Sequence, residues 1–159
     1  PQMVMEAMEK LVTNRSSCLD LGSGSGILSI AALRLGAKSA IGVDIDPKAE
    51  GIARENAAYN GFSSPEFIAL TGNVTTDRPL MERLGQRQYD IVLVNIVADV
   101  IISLAPTLPR FLTDGSTLIL SGILDTRLGD VTTAVEQAGL TVTAVYQKED
   151  WRCITAKKE

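Results

Sequence analysis

Apolar and polar positions alternate in blocks along this chain. Apolar residues at Met5, Met8, Leu11 and Val12 predict a helix over 2–12. A short strand follows at 17–21, then a Gly/Ser loop at 22–26. Ile27, Ile30, Ala31 and Leu35 fall near one face of a helix over 27–35, which Gly36 stops. Residues 40–44 form a second strand, and Pro47 opens a helix that runs through Ile52, Ala53 and Ala57 to the stop at Asn60-Gly61. A third strand is expected at 66–70, a polar loop at 71–77 and a short helix at 79–84. Residues 89–94 are nearly all apolar, as in a central parallel strand. A helix over 98–112, irregular around Pro106 and Pro109, leads to a fifth strand at 117–120, and a helix over 128–138 ends at Gly139.

This alternation predicts an α/β domain: right-handed crossovers, a mostly parallel Rossmann-like sheet, and helices on both faces. The ending breaks the pattern. Strand-like stretches at 140–147 and 151–156 are separated only by Lys148-Glu149-Asp150. Three residues cannot hold a crossover helix, so these strands must pair as an antiparallel hairpin. No repeat or linker divides the chain, and residues 1–159 read as one domain.

Composition narrows the chemistry. With 45% hydrophobic residues in 159, the chain can bury a core without disulfide or metal staples. It contains no histidine, which removes Ser–His–Asp triads, Cys–His dyads, a histidine base and histidine metal ligands; no metal site is expected. Aromatic residues at 4% are too few for a platform that stacks single-stranded nucleic acid. The formal net charge of −4 is the wrong sign for a duplex-binding module, so a macromolecular partner is expected to be basic. Cys18 and Cys153 lie in apolar stretches and read as buried hydrophobes, consistent with a reducing cytoplasm. No apolar run reaches the roughly 20 residues of a membrane span. The chain opens at Pro1, without an initiator methionine, and reads as a processed or excised piece of something longer.

The sharpest motif is Asp20-Leu21-Gly22-Ser23-Gly24-Ser25-Gly26, where a strand runs through alternating glycines into a helix. Gly22, Gly24 and Gly26 would let a ligand approach the backbone, beside the free N–H groups of a helix start. The dinucleotide pattern G-x-G-x-x-G places its last glycine at Ile27 and therefore fails. Asp20 would repel a pyrophosphate but suits a cationic ligand such as S-adenosylmethionine, which carries an ammonium and a sulfonium. Asp44 ends the second strand 18 residues after Gly26, the expected place for a carboxylate that accepts from ribose hydroxyls. Asp46, before Pro47, fits a helix cap. Ile45 either lies against the adenine face or joins the core. Asn73, after the third strand, either meets the adenine edge or makes a turn. Asn95 closes the apolar fourth strand, where an amide is expensive to bury unused. It either faces the cofactor and the incoming amine or caps the next helix; Asp99 reads as a solvated helix residue.

Together these residues resemble the class I S-adenosylmethionine-dependent methyltransferases over essentially the whole chain. Three stretches narrow the resemblance: 20–28, Asn95-Ile96-Val97-Ala98-Asp99-Val100-Ile101, and Leu118-Ile119-Leu120-Ser121-Gly122-Ile123-Leu124. With the ending at 151–158, they look like the catalytic domain of the bacterial methyltransferases that modify large-subunit ribosomal protein L-eleven. The resemblance implies a seven-stranded sheet of order 3-2-1-4-5-7-6 with strand 7 antiparallel. It implies methyl transfer from S-adenosylmethionine to lysine side chains and the N-terminal amine of that ribosomal protein, with Asn95 as the catalytic residue. No direct nucleic-acid contact and no membrane are expected. It also implies an N-terminal recognition domain and a cofactor-covering segment that would precede Gln2. A dehydrogenase, a non-catalytic cofactor-binding module and a methyltransferase of another substrate are the rival readings. The N-P-P-Y run typical of glutamine-modifying enzymes is not matched at Asn95-Ile96-Val97-Ala98.

Overall fold

A computed structural model describes residues 2–158. The chain order is α1 (Gln2–Leu11), β1 (Ser17–Leu21), α2 (Ile27–Arg34), β2 (Ser39–Asp44), α3 (Pro47–Tyr59), β3 (Phe67–Thr71), α4 (Arg78–Gly85) and β4 (Tyr89–Asn95). Then come α5 (Ala98–Leu104), a 3₁₀ turn (Leu108–Phe111), β5 (Leu112–Leu124), a second 3₁₀ turn (Asp125–Arg127), α6 (Leu128–Gln137), β6 (Leu140–Lys148) and β7 (Trp151–Lys158). The strands make one sheet of order β3-β2-β1-β4-β5-β7-β6. β7 runs antiparallel to both β5 and β6, and the other neighbours pair in parallel. Both the expected sheet order and the closing hairpin are borne out.

The two-residue period of the strands sorts the core onto two faces. Leu19, Leu21, Val92, Val94, Leu118 and Leu120 pack with Leu84, Ile101, Leu104 and Val131 from α4, α5 and α6. Cys18, Ile91, Leu93 and Ile119 pack on the other side with Val4, Met8, Leu28 and Ala53 from α1, α2 and α3. Both cysteines are buried and unbridged. Burial pushes the Cys18 thiol up to about 12 and Cys153 to about 11, so neither offers a thiolate.

Two elements differ from their sequence expectation. The helix predicted over 98–112 ends at Leu104, and residues 108–111 form a 3₁₀ turn. Pro106 and Pro109 supply no N–H to continue an α-helical ladder. β5 extends over Leu112–Leu124, well beyond 117–120. Gly122, just past the expected end of the strand, is part of a register shift between Leu120 and Ile123. After that shift the strand continues, with Ile123 opposite Arg152 and Leu124 opposite Trp151.

Candidate functional site

The parallel order reverses direction between β1 and β4, and the crevice outside their carboxyl ends is where such sheets hold ligands. The glycine loop is tied to the end of β2. Gly22 and Ser23 donate their N–H groups to the Val43 carbonyl at 2.8 and 3.0 Å. The Gly24 N–H donates to Asp44 Oδ2 at 2.8 Å, and the Asp46 N–H donates to Asp44 Oδ1 at 2.9 Å. One carboxylate therefore organises both sides of the crevice, with a lone pair left on each oxygen. Asp46 caps α3 by accepting from the Lys48 N–H at 3.0 Å.

The three loop glycines answer to three different constraints. At Gly22, with φ +77°, a Cβ would stand 2.5 Å from Ile96 Cγ2. At Gly26 it would press on Ala53 Cβ at 3.1 Å, so that glycine lets α3 approach the loop. At Gly24 a Cβ would meet nothing within 4 Å. Gly24 is thus the position where backbone lies open to an approaching molecule.

A cavity of about 570 Å³ lies against this loop. Gly22, Asp44 and Ile45 form one wall, and Gly72, Asn73, Val74 and Thr75 a second. The third comes from Ile96 and from Asp99, Val100, Ser103 and Leu104 on α5. Ile45 is 67% exposed, at the cavity rim and outside the core. Asn73 Oδ1 accepts from the Thr75 N–H at 3.0 Å and from Thr75 Oγ1 at 2.6 Å. Its carbonyl is thus used in a local turn, which leaves its NH₂ as the group free to donate. The α5 wall was not read from the sequence. Its signal is the i, i+1, i+4, i+5 spacing of Asp99, Val100, Ser103 and Leu104, which puts them on one helix face.

Asp20, Gly24, Gly26 and Asn95 are not on that cavity wall. Asp20 sits on the same strand face as Cys18, beneath the loop, and is 1% exposed. Its Oδ2 accepts from Ser29 Oγ at 2.8 Å, and its Oδ1 has no partner. Burial raises its pKa from 3.8 to about 6, the Ser29 hydroxyl and amide hold it down, and Asp44 raises it further. Asn95 is half-buried at the end of β4, and its carboxamide makes no hydrogen bond among the described residues. It does not cap α5, whose cap residue is Val97. Among the described residues no cluster of acidic residues and cysteines is arranged to hold a metal ion.

Asp20 gives a pH prediction. In the unfolded chain its carboxyl titrates near 3.8, but in the folded protein it keeps its proton up to about 6. The native state binds that proton more tightly, so Asp20 favours folding at low pH and opposes it as pH rises from 4 to 6. The loss amounts to about 3 kcal/mol. Asp20→Asn removes it, so the stability of the variant relative to the parent should rise by that amount between pH 4 and pH 7. Urea unfolding at the two pH values measures the difference; parallel pH profiles would refute it.

Comparison with known proteins now adds to this geometry. The family model described as "Ribosomal protein L11 methyltransferase" matches residues 1–159. The chain belongs to this family. It is 43% identical over 140 residues to the ribosomal protein L11 methyltransferase of Agathobacter rectalis, covering 88% of this chain and 43% of that protein. It is 40% identical over 150 residues to that of Chromohalobacter salexigens, covering 94% of this chain and 47% of the relative. The chain spans about half the length of the curated relatives it matches. Among solved structures, the ribosomal protein L11 methylase of Lactobacillus delbrueckii subsp. bulgaricus superposes with TM-score 0.87 at 28% identity, covering 99% of this chain and 78% of that one. An RNA methyltransferase from Salinibacter ruber in complex with S-adenosyl-L-homocysteine superposes with TM-score 0.73 at 22% identity, covering 100% and 93%, which is a likeness of fold.

Proposed function

We propose that this chain transfers methyl groups from S-adenosylmethionine to amino groups of ribosomal protein L11, both lysine side chains and the N-terminal amine. The observation that carries the reading is the open backbone at Gly24 joined to the Asp44 carboxylate beside a cavity of about 570 Å³, in a chain of this family. Residues 1–159 serve as its catalytic domain. Recognition of the ribosomal protein is assigned to chain outside it, in keeping with relatives about twice as long. The setting is the cytoplasm: no described helix is long and apolar enough to cross a membrane, and the net charge of −4 favours a basic protein partner over nucleic acid.

The residues present fit S-adenosylmethionine. Asp44 has lone pairs to spare for ribose hydroxyls, and Ile45 and Val74 offer apolar surface to an adenine ring. Asn73 would serve the adenine as a donor through its NH₂, because its carbonyl is committed to Thr75. The unpartnered Asp20 carboxylate beneath the loop supplies negative potential for the cationic methionine end.

S-adenosylmethionine supplies the methyl group on a sulfonium, an already activated leaving group. The protein's work is then chiefly alignment. A lysine ammonium with pKa about 10.4 costs roughly 4.6 kcal/mol to deprotonate at pH 7, and an α-amine near 7.7 about 1 kcal/mol. Residues 1–159 offer no histidine as a base, so within these residues the proton is given to water. Asn95 accepts from the deprotonated amine through Oδ1 and aims its lone pair.

The direct test is transfer of labelled methyl from S-adenosylmethionine to whole ribosomal protein, with the labelled band identified. Label on L11 supports the reading, and label confined to another protein refutes the substrate assignment; cofactor binding without any transfer refutes it when the protein tested also carries the chain to which recognition is assigned. Asn95→Ala should keep cofactor affinity within a few fold and lower kcat at least tenfold. A variant that loses cofactor binding but turns over normally at saturation would contradict the role of Asn95.

A further inference from the structure

We infer that Gly122 is a positioning residue for the reacting amine, acting through Asn95 and the Ile96 carbonyl. This rests on the methyltransferase reading above and deepens it. Gly122 lies on β5 next to the strand end that carries Asn95, since Asn95 pairs with Ser121. Its φ is +80°, inside the register shift that lets β5 continue. A Cβ built there would stand 2.9 Å from the Ile96 carbonyl oxygen and 3.2 Å from Asn95 Oδ1. Two carbonyl oxygens, one main-chain and one side-chain, thus converge on the place where a Cβ at 122 would stand. No hydrogen bond fixes the Asn95 carboxamide among the described residues, and a Cβ at 122 would crowd its oxygen directly.

The same residue, Ile96, is keyed to the cofactor side. Its Cγ2 lies 2.5 Å from where a Gly22 Cβ would be, and its carbonyl oxygen lies 2.9 Å from where a Gly122 Cβ would be. The ends of β1, β4 and β5 therefore interlock through one residue that also lines the cavity. A side chain at 122 would push Asn95 Oδ1 and the Ile96 carbonyl away from β5 by a few tenths of an ångström or more. A misplacement of that order matters to an in-line transfer that depends on alignment.

Gly139 separates this role from backbone strain. Its φ is +85°, and a Cβ there would meet nothing within 4 Å. Gly122→Ala and Gly139→Ala therefore share the left-handed penalty, but only the first touches Asn95 and Ile96. Gly122→Asn is the second variant, because asparagine tolerates a left-handed backbone while still placing a Cβ at the contact. Two readouts are needed. The Asn95 side-chain amide resonances in a ¹⁵N-correlated NMR spectrum report its orientation without any turnover. Steady-state kinetics on the parent's own acceptor then separate kcat from the KM for S-adenosylmethionine.

Both Gly122 variants should shift the Asn95 side-chain resonances and lower kcat at least tenfold, with KM for the cofactor within about threefold. Gly139→Ala should change neither. In an Asn95→Ala background, Gly122→Ala should cost clearly less kcat than it does in the parent, because the part of its action that runs through the Asn95 side chain is already gone and only the Ile96 contact remains. Unmoved Asn95 resonances in folded Gly122 variants, or losses that multiply in the double variant, would overturn the inference. If the parent itself transfers no methyl group, the functional reading fails, while the NMR shift still decides whether Gly122 positions Asn95.

Discussion

Asp44→Ala should weaken S-adenosylmethionine binding by about 1.5–3 kcal/mol, the range for a hydrogen bond to a charged group, which is roughly 10- to 150-fold in Kd. Asp44 acts three times over. It holds the Gly24 N–H, it holds the Asp46 N–H, and its remaining lone pairs face the cavity. The isosteric variant sharpens the test. In Asp44→Asn, one of the two oxygens becomes an NH₂, which must then face either the Gly24 N–H or the Asp46 N–H, donor against donor. The asparagine should therefore bind no better than the alanine, although it preserves size and one acceptor. Calorimetric titration of both variants measures this. An asparagine variant with the parent's affinity would mean that the loop does not depend on Asp44, and an unchanged alanine variant would remove Asp44 from the cofactor site.

Why Asp44 was legible in the sequence, and Asp20 less so, has a physical cause. Asp44 is the last residue of its strand, where the backbone leaves the sheet and a carboxylate reaches the crevice whichever face it started on. Asp20 is inside a strand, so the two-residue period decides its side, and that period places it with Cys18 under α2. Chain order likewise revealed the closing hairpin, because a three-residue gap admits one topology. It concealed the C-terminal reach of β5, since Gly122 has the same letter whether a strand ends before it or bends through it. The contacts of Ile96 with Gly22 and Gly122 join residues 74 and 26 positions apart, and they become visible only when the sheet order brings three strand ends together.

That convergence sets the second large effect. Gly22→Ala should destabilise the fold by roughly 2–5 kcal/mol, the combined scale of overpacking and of a left-handed alanine. For a domain of this size the melting temperature should fall on the order of 10 °C. The overpacking has a single named partner: the new methyl would stand 2.5 Å from Ile96 Cγ2 and 3.9 Å from Ile96 Cβ. Ile96→Ala deletes the nearer atom and leaves the φ of +77° at residue 22 as it was. The double variant should therefore recover the steric part of the loss and keep the part due to backbone strain. Ile96→Val retains a γ-methyl and should rescue less. Cofactor affinity should fall in Gly22→Ala beyond what stability explains, because Gly22 and Ile96 both line the cavity and must part to admit the methyl. Thermal unfolding of the single and double variants, with cofactor titration below their transitions, measures the two effects. Strictly additive stabilities for Gly22→Ala and Ile96→Ala would show that the loop moves away from β4 to make room, and that Ile96 does not hold it there.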